Sequence, residues 1–186
     1  KPMPINLDYA PGATPLDADE LASLIPGHIT TQGELNEWEQ LNIVQGDTWA
    51  RKQRKEILDE GFLRRLHQQM FGETWRWAGT FRKSDKNIGV DWLRIGVEVK
   101  NLLDDVHYQV GHSSLPPDEI AVRFHYRLVA IHPFPNGNGR HARLMADLLG
   151  SGSHRLRSRR TSPGRGGPGR GDGPRSGAYV WSGVRT

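Results

Sequence analysis

The chain has no cysteine. That excludes a disulfide framework and thiolate metal sites and fits a bacterial cytoplasm. No apolar run is long enough to cross a bilayer and no signal peptide is readable. The expectation is therefore a cytoplasmic chain with no membrane partner. Large apolar residues are scarce, with aromatics at only 8% of the composition, so any core has to come from a few well-patterned helix faces, helped by six tryptophans. Internal repeats are absent, and so is the G-x-x-x-x-G-K-[ST] phosphate loop, which removes the commonest nucleotide-binding motif from consideration. Lysine is missing from Gly150 onward although it is plentiful before.

What is present falls into three stretches. The 186 residues suffice for one domain with a sizeable core. Residues 1–20 are proline-rich and polar and are expected to form an extended arm. Residues 21–149 carry helical patterning: Leu35 to Ala50; Glu56 to Met70, where Leu58, Phe62, Leu66 and Met70 step by four; Val97 to Val110; and a helix opened by Pro116-Pro117-Asp118-Glu119 that buries Ala121, Phe124, Leu128 and Ile131. His67 reads as a boundary histidine beside its stripe, and Asp104-Asp105 as the wet face of theirs. Residues 150–186 hold eight arginines and one acid, a net of +7; with +4 for the whole chain, residues 1–149 carry −3. From Ser151 to Arg175 this tail is nearly all glycine, serine, proline and arginine, and it is expected to be disordered because it has too little to bury.

The densest chemistry lies in His132-Pro133-Phe134-Pro135-Asn136-Gly137-Asn138-Gly139-Arg140, followed by Arg143. Pro133 and Pro135 stop one helix, and a second begins near Asn138 or Gly139 and runs through Leu144, Met145, Leu148 and Leu149. Gly137 and Gly139 allow successive amides to face one concavity at the positive end of the new helix. Arg140 and Arg143 share a face of its first turns. Arginine forks suit phosphate oxygens, and their cost against the helix macrodipole, from a few tenths of a kcal/mol to about 1, would be offset by a bound anion. His132, with an ordinary pKa of about 6.5, suits a general base. A histidine at a helix end and an Asn-Gly-Asn-Gly turn also occur with no such role, and pattern alone gives phosphate binding even odds.

This segment resembles the signature of the Fic (Fido) family, H-P-F-x-[DE]-G-N-G-R-x-x-R, and from Thr14 to Leu149 the chain is similar to the bacterial subgroup called mobile mystery protein B. The resemblance implies an all-α, mainly helical Fic-type bundle with a small β-hairpin flap. It also implies transfer of AMP from ATP to a Ser, Thr or Tyr hydroxyl of a target protein, with ATP and Mg²⁺ as cofactors. By position, His132 would take the hydroxyl proton and Phe134 would anchor the loop. Gly137, Asn138 and Gly139 would form the anion hole, and Arg140 and Arg143 would hold the outer phosphates. Asn136 stands where the family has the acid that ligates Mg²⁺; a neutral amide is a poorer ligand for a hard dication. That keeps transfer of another phosphate-containing group open, as does a non-catalytic nucleotide-binding or toxin–antitoxin-type module.

Two further elements follow from the resemblance. Trp77 to Trp92 is similar to the Fic flap, a hairpin that docks the target backbone by strand addition, with Thr80, Phe81, Arg82, Asn87 and Ile88 as docking residues; an ordinary surface loop is the alternative. Thr30-Thr31-Gln32-Gly33-Glu34 partly matches the family's inhibitory helix, which would pair Glu34 with Arg143, but Leu35 departs from the pattern, and Thr31-x-x-Glu34 is equally a capping box. The subgroup implies a small DNA-binding or antitoxin-like partner. Related chains would continue the apolar helix beyond Leu149, so the preferred reading of residues 150–186 is out-of-frame translation of GC-rich DNA. Nucleic acid is a partner only if the basic tail is genuine.

Overall fold

The computed structural model describes residues 14–53 and 56–160, with side chains up to residue 151. Among the described residues six α-helices carry the fold: α1 (Ala18–Leu21), α2 (Gln32–Lys52), α3 (Glu60–Phe71), α4 (Ile95–His112), α5 (Pro117–Ile131) and α6 (Asn138–Arg160), with one 3-10 turn at Trp92–Arg94. The starts of α2, α3 and α5 have local causes. The Thr31 hydroxyl accepts from the Glu34 amide, and the Glu34 carboxylate accepts from the Thr31 amide. Asp59 caps α3 through the Phe62 amide at 3.0 Å. Pro117 occupies the first turn of α5, where its missing N–H costs nothing.

Packing pairs α2 with α3, α4 with α5, and α5 with α6, while α3 also reaches α6. Between them Leu63, Leu66, Met70, Phe71, Trp75, Val99, Leu102, Phe124, Leu128, Phe134 and Met145 are almost wholly excluded from water. Leu58, just before α3, and Phe62, Leu66 and Met70 within it are buried as their spacing by four predicts, and Val99, Leu102, Leu103 and Val106 of α4 also face the core. Asp104 and Asp105 lie on the wet face of α4, paired with Lys100 and Arg127. The helix α6 extends past Leu149 to Arg160. His154 to Arg160 contains neither glycine nor proline, and arginine propagates a helix well. Residues 161–186, and residues 1–13 of the expected arm, lie outside the described residues. Residues 14–20 do not extend away from the body: they turn through α1 and pack against the Ser84–Lys86 loop.

Two histidines are buried in this core. His67, expected at a boundary, is fully enclosed between the ring of Phe134, stacked at 3.7 Å, and Phe71. His141 is equally enclosed, with Nε2 donating to the Leu63 carbonyl at 2.9 Å. Burial pushes the His141 imidazole down to about 4, opposed by the Leu63 carbonyl, and holds His67 well below its usual range, with His141 adding to the effect. The unfolded chain takes up protons as pH falls below about 6.5, whereas the folded imidazole of His141 does so only near 4. The stability these groups contribute is thus complete at pH 7 and is lost as pH falls through that window. His141 alone is expected to remove about 2 kcal/mol between pH 7 and pH 5. Urea unfolding at the two pH values checks this; coincident midpoints would refute it.

Candidate active site

The site is built where α5 ends and α6 begins. His132 closes α5 in the left-handed region (φ 54°, ψ 60°), an uncommon conformation that histidine tolerates better than most side chains. This turns the imidazole back under the loop, where His132 is 6% exposed. Nε2 meets the hydroxyl of Thr14 at 3.2 Å. Burial is the main cause pushing the His132 imidazole down to about 4, and the cations of Arg82 and Lys86 push the same way. The Val129 carbonyl one turn back opposes them, but it forms no aligned bond with Nδ1, which has no partner among the described residues. At neutral pH this is an uncharged imidazole facing a hydroxyl.

The loop from Pro133 to Gly137 is held from within. The Asn138 side chain accepts from the Phe134 amide at 2.9 Å and donates to the Phe134 carbonyl at 2.8 Å. The Asn138 side chain thus braces the loop, while its backbone stands at the start of α6. His67 ties the loop to the neighbouring segment. Its Nδ1 accepts from the Gly79 amide at 3.0 Å, so its proton sits on Nε2, which donates to the Asn136 carbonyl at 3.0 Å.

Gly137 (φ 77°) makes the bend into α6 against the Phe71 ring; a Cβ there would lie 2.6 Å from two ring carbons. Gly137→Ala therefore combines a left-handed alanine, roughly 1–2 kcal/mol, with a clash against a buried aromatic. The total expected is about 2–4 kcal/mol, read as a lower urea midpoint with weakened anion binding. A stable variant with unchanged affinity for inorganic pyrophosphate would refute it.

The first amides of α6 have no intrahelical acceptors, as at every helix start. His141 is the first whose amide closes a helical bond, to the Gly137 carbonyl at 2.9 Å. That leaves the amides of Asn138, Gly139 and Arg140 at the positive end of the helix. Arg140 lies over the Phe71 ring at 4.9 Å and is aimed by Glu39, 2.7 Å from its Nη1. The other Glu39 oxygen accepts from Trp75 Nε1 at 2.7 Å, so this buried carboxylate is fixed from both sides. Glu39 was not legible as a site residue. The available signal was an acid four residues from Leu35 and three from Asn42, on the face that α2 buries. Arg143 is exposed and forms no ion pair among the described residues.

The expected Glu34–Arg143 pair is not formed. Glu34 Oε2 accepts from the Thr30 and Thr31 amides at 2.9 and 3.1 Å, and these bonds hold its carboxyl below the usual range. The capping box has claimed the side chain, and one carboxylate does not serve both ends.

The β-hairpin flap is not formed either: there is no strand among the described residues. Arg82 is the physical reason. Its side chain is fully buried, and its guanidinium donates to the carbonyls of His132 at 2.7 Å, Ser84 at 2.7 Å and Val90. Two acceptors that a hairpin ladder would use inside the segment are thus taken by one side chain. The backbone pairs with the motif loop instead, through Arg82 N to Pro133 O at 2.9 Å and Val90 N to Ile131 O at 3.3 Å. Gly89 (φ 107°) bends the stretch expected as a strand, where a Cβ would collide with Arg82 and His132. Of the docking residues, Thr80, Asn87 and Ile88 are exposed, Phe81 packs toward Phe134 under Arg64, and Arg82 is a buried brace.

The described residues do not build a metal site. Among the described residues no three His, Cys, Asp or Glu side chains converge. Asn136 Oδ1, the atom that would replace the family's carboxylate, accepts from the Gly137 amide at 2.6 Å, and its Nδ2 donates to the Thr14 carbonyl at 3.4 Å. Among the described residues no helix is long and apolar enough to cross a membrane.

Known structures share this fold. BepC, a VirB-translocated effector from Bartonella tribocorum solved with bound AMPPNP, is 21% identical over 74% of this chain and 80% of its own, with a TM-score of 0.59. The N-terminal Fic domain of a cell filamentation protein from Bartonella quintana, solved with bound ADP, is 23% identical over 68% and 70%, with a TM-score of 0.55. A Fic family protein from Desulfovibrio desulfuricans G20 is 21% identical over 76% of this chain and 44% of its own, with a TM-score of 0.56. These likenesses establish the fold. The family model described as Fic/DOC family matches residues 57–149, half of the chain and all of α3 to the motif helix. Since the family model covers half of its length, the chain belongs to the Fic/DOC family.

Proposed function

We propose that the protein is a nucleotidyltransferase that moves AMP from ATP onto a Ser, Thr or Tyr hydroxyl of a protein. The observation that carries this reading is the uncharged His132, whose Nε2 faces a hydroxyl at 3.2 Å immediately before the amide-rich start of α6. In this reading His132 takes the hydroxyl proton, and the amides of Asn138, Gly139 and Arg140 hold phosphate oxygens. Arg140, aimed by Glu39, and Arg143 neutralise the outer phosphates. Phosphoryl-type transfer asks a protein mainly for such positioning and charge neutralisation. The nucleotides bound to the Bartonella structures are phosphate-bearing ligands of the same class, which supports the reading.

The test is transfer of label from ATP tagged on its α-phosphate, with a bacterial lysate as acceptor and His132→Ala as control. Labelled protein that depends on His132 is the expected result. A folded chain that labels nothing would remove ATP as donor. The engagement of Asn136 Oδ1 by the Gly137 amide favours one second reading, transfer of a different phosphate-containing group. In that case UTP or CDP-choline would restore labelling where ATP fails.

A further inference from the structure

The dipeptide Asn-Gly stands twice in the motif loop, at Asn136-Gly137 and Asn138-Gly139. In this pairing the asparagine carboxamide is open to attack by the next backbone nitrogen, because glycine sets no Cβ in the way. The fold treats the two copies oppositely. The Asn138 carboxamide is 3% exposed and held at both ends, accepting from the Phe134 amide at 2.9 Å and donating to the Phe134 carbonyl at 2.8 Å. It cannot turn toward Gly139 without breaking both bonds. The Asn136 carboxamide is half-buried and already lies against the nitrogen that follows it: the Gly137 amide donates to Oδ1 at 2.6 Å. Cγ is one bond beyond that oxygen. Asn136 Nδ2 donates to the Thr14 carbonyl at 3.4 Å, a long and therefore weak bond.

A second observation concerns the nitrogen. Attack requires the Gly137 amide to lose its proton, and the charge then spreads to the oxygen of the same peptide unit, the Asn136 carbonyl. That oxygen accepts from His67 Nε2 at 3.0 Å. His67 is wholly buried, and its tautomer is fixed by the Gly79 amide on Nδ1. A donor set on the oxygen that gains charge favours the charged form. The transfer chemistry leaves this buried histidine idle.

We propose that Asn136 is a deamidation site activated by the fold, with His67 easing loss of the Gly137 proton. A solvent base takes that proton. Gly137 N forms a bond to Asn136 Cγ, the Cγ–Nδ2 bond breaks, and Nδ2 leaves as ammonia with a proton from water. A water molecule then opens the cyclic imide at one of its carbonyls. The sum consumes the side-chain amide and water and yields a carboxylate and ammonium. Opening at Cγ restores the peptide link and leaves aspartate; opening at the other carbonyl leaves its β-linked isomer. Either product sets a negative charge immediately before the amides of Asn138, Gly139 and Arg140. The conversion thus weakens the hold on phosphate oxygens and acts as a one-way brake on the site. This consequence rests on the nucleotidyltransferase reading given above; the conversion itself does not.

The test follows the full chain in mildly alkaline buffer, folded and in guanidinium chloride, by peptide mass analysis with fragment ions that separate residues 136 and 138. Asn136 is expected to become an acid faster in the folded chain than in the unfolded one, at a rate that rises with pH. Asn138 is expected to convert only when unfolded. An Asn136 that stays an amide, or that converts faster when unfolded, would overturn the inference. His67→Phe keeps a ring against Phe134 and removes the donor. It should slow Asn136 while Asn138 stays protected, which shows that the variant is folded; conversion at the wild-type rate in that folded variant would overturn the part given to His67. The comparison of folded with unfolded wild type depends on no variant. For the brake, Asn136→Asp should bind inorganic pyrophosphate about tenfold more weakly than wild type in calorimetry without divalent cations, the order expected of one unit charge beside the bound phosphates. Equal affinity would overturn the brake. Wild type that binds no pyrophosphate would overturn the phosphate-binding reading and the brake with it, while the conversion stands or falls on the mass analysis.

Discussion

Replacing Arg82 with leucine is expected to lower the stability of the fold by about 3–5 kcal/mol, a large change for one residue. The side chain is fully buried, and its three carbonyl acceptors belong to His132, Ser84 and Val90, with Asp85 at 3.7 Å. Leucine fills much of the volume but leaves three carbonyls short of a donor, each worth roughly 1–3 kcal/mol where water cannot reach. The sum is discounted because Ser84 and Val90 are only partly buried and can open to solvent. Burial already pulls the guanidinium below its usual range, with Asp85, Asp91 and Glu20 opposing that pull. Lysine would not rescue the site, since a point charge cannot fork to three carbonyls. Urea unfolding gives the magnitude. Amide exchange should show the loss centred on Arg82, Val90 and the motif loop, because the Arg82 and Val90 amides bond into Pro133 and Ile131. A change below about 1 kcal/mol would mean that the loop rehydrates freely and that Arg82 is no brace.

Arg82 also marks where sequence reading stops. Helices α2 to α6 were legible because their apolar residues recur at the helical period and their caps are local. The capping box at Thr31 and Glu34, the proline start of α5 and the proline stop before the motif each depend on residues within four positions of one another. The motif was legible for the same reason, as a contiguous run. What failed was set by long-range partners. The segment from Trp77 to Trp92 has turn residues and alternation enough for a hairpin, but the buried guanidinium of Arg82 takes the ladder's acceptors and couples the segment to a loop some 50 residues away. His67 sits beside an apolar stripe and would be a boundary residue if nothing covered it; Phe134 and the Asn136 carbonyl cover it. Glu39, Thr14 and Lys86 carry no local signal at all, because their roles exist only once α2, α6 and residues 14–20 are brought together.

His132→Ala is expected to reduce label transfer by about 10²- to 10⁴-fold, the usual contribution of a positioned general base, with nucleotide affinity unchanged because no phosphate contact is removed. Alanine in the left-handed region costs roughly 1–2 kcal/mol, so His132→Asn is the better control. Asparagine tolerates that backbone and lacks a base, and it should show the same loss of transfer with less loss of stability. The pH dependence separates the base role from a structural one. Because burial, Arg82 and Lys86 push the His132 imidazole down to about 4, the basic form is already complete at pH 6. The wild-type rate should therefore stay flat from pH 8 to pH 6 and fall only as pH approaches 4, in place of the midpoint near 6.5 that a solvated histidine would give. Rates have to be taken well below the melting temperature, since His67 and His141 destabilise the fold in the same acid range. A limb at pH 6.5 would mean that His132 is solvated in the working state. That state would be one in which residues 14–20 have left the groove, since Thr14 is the hydroxyl that now meets Nε2.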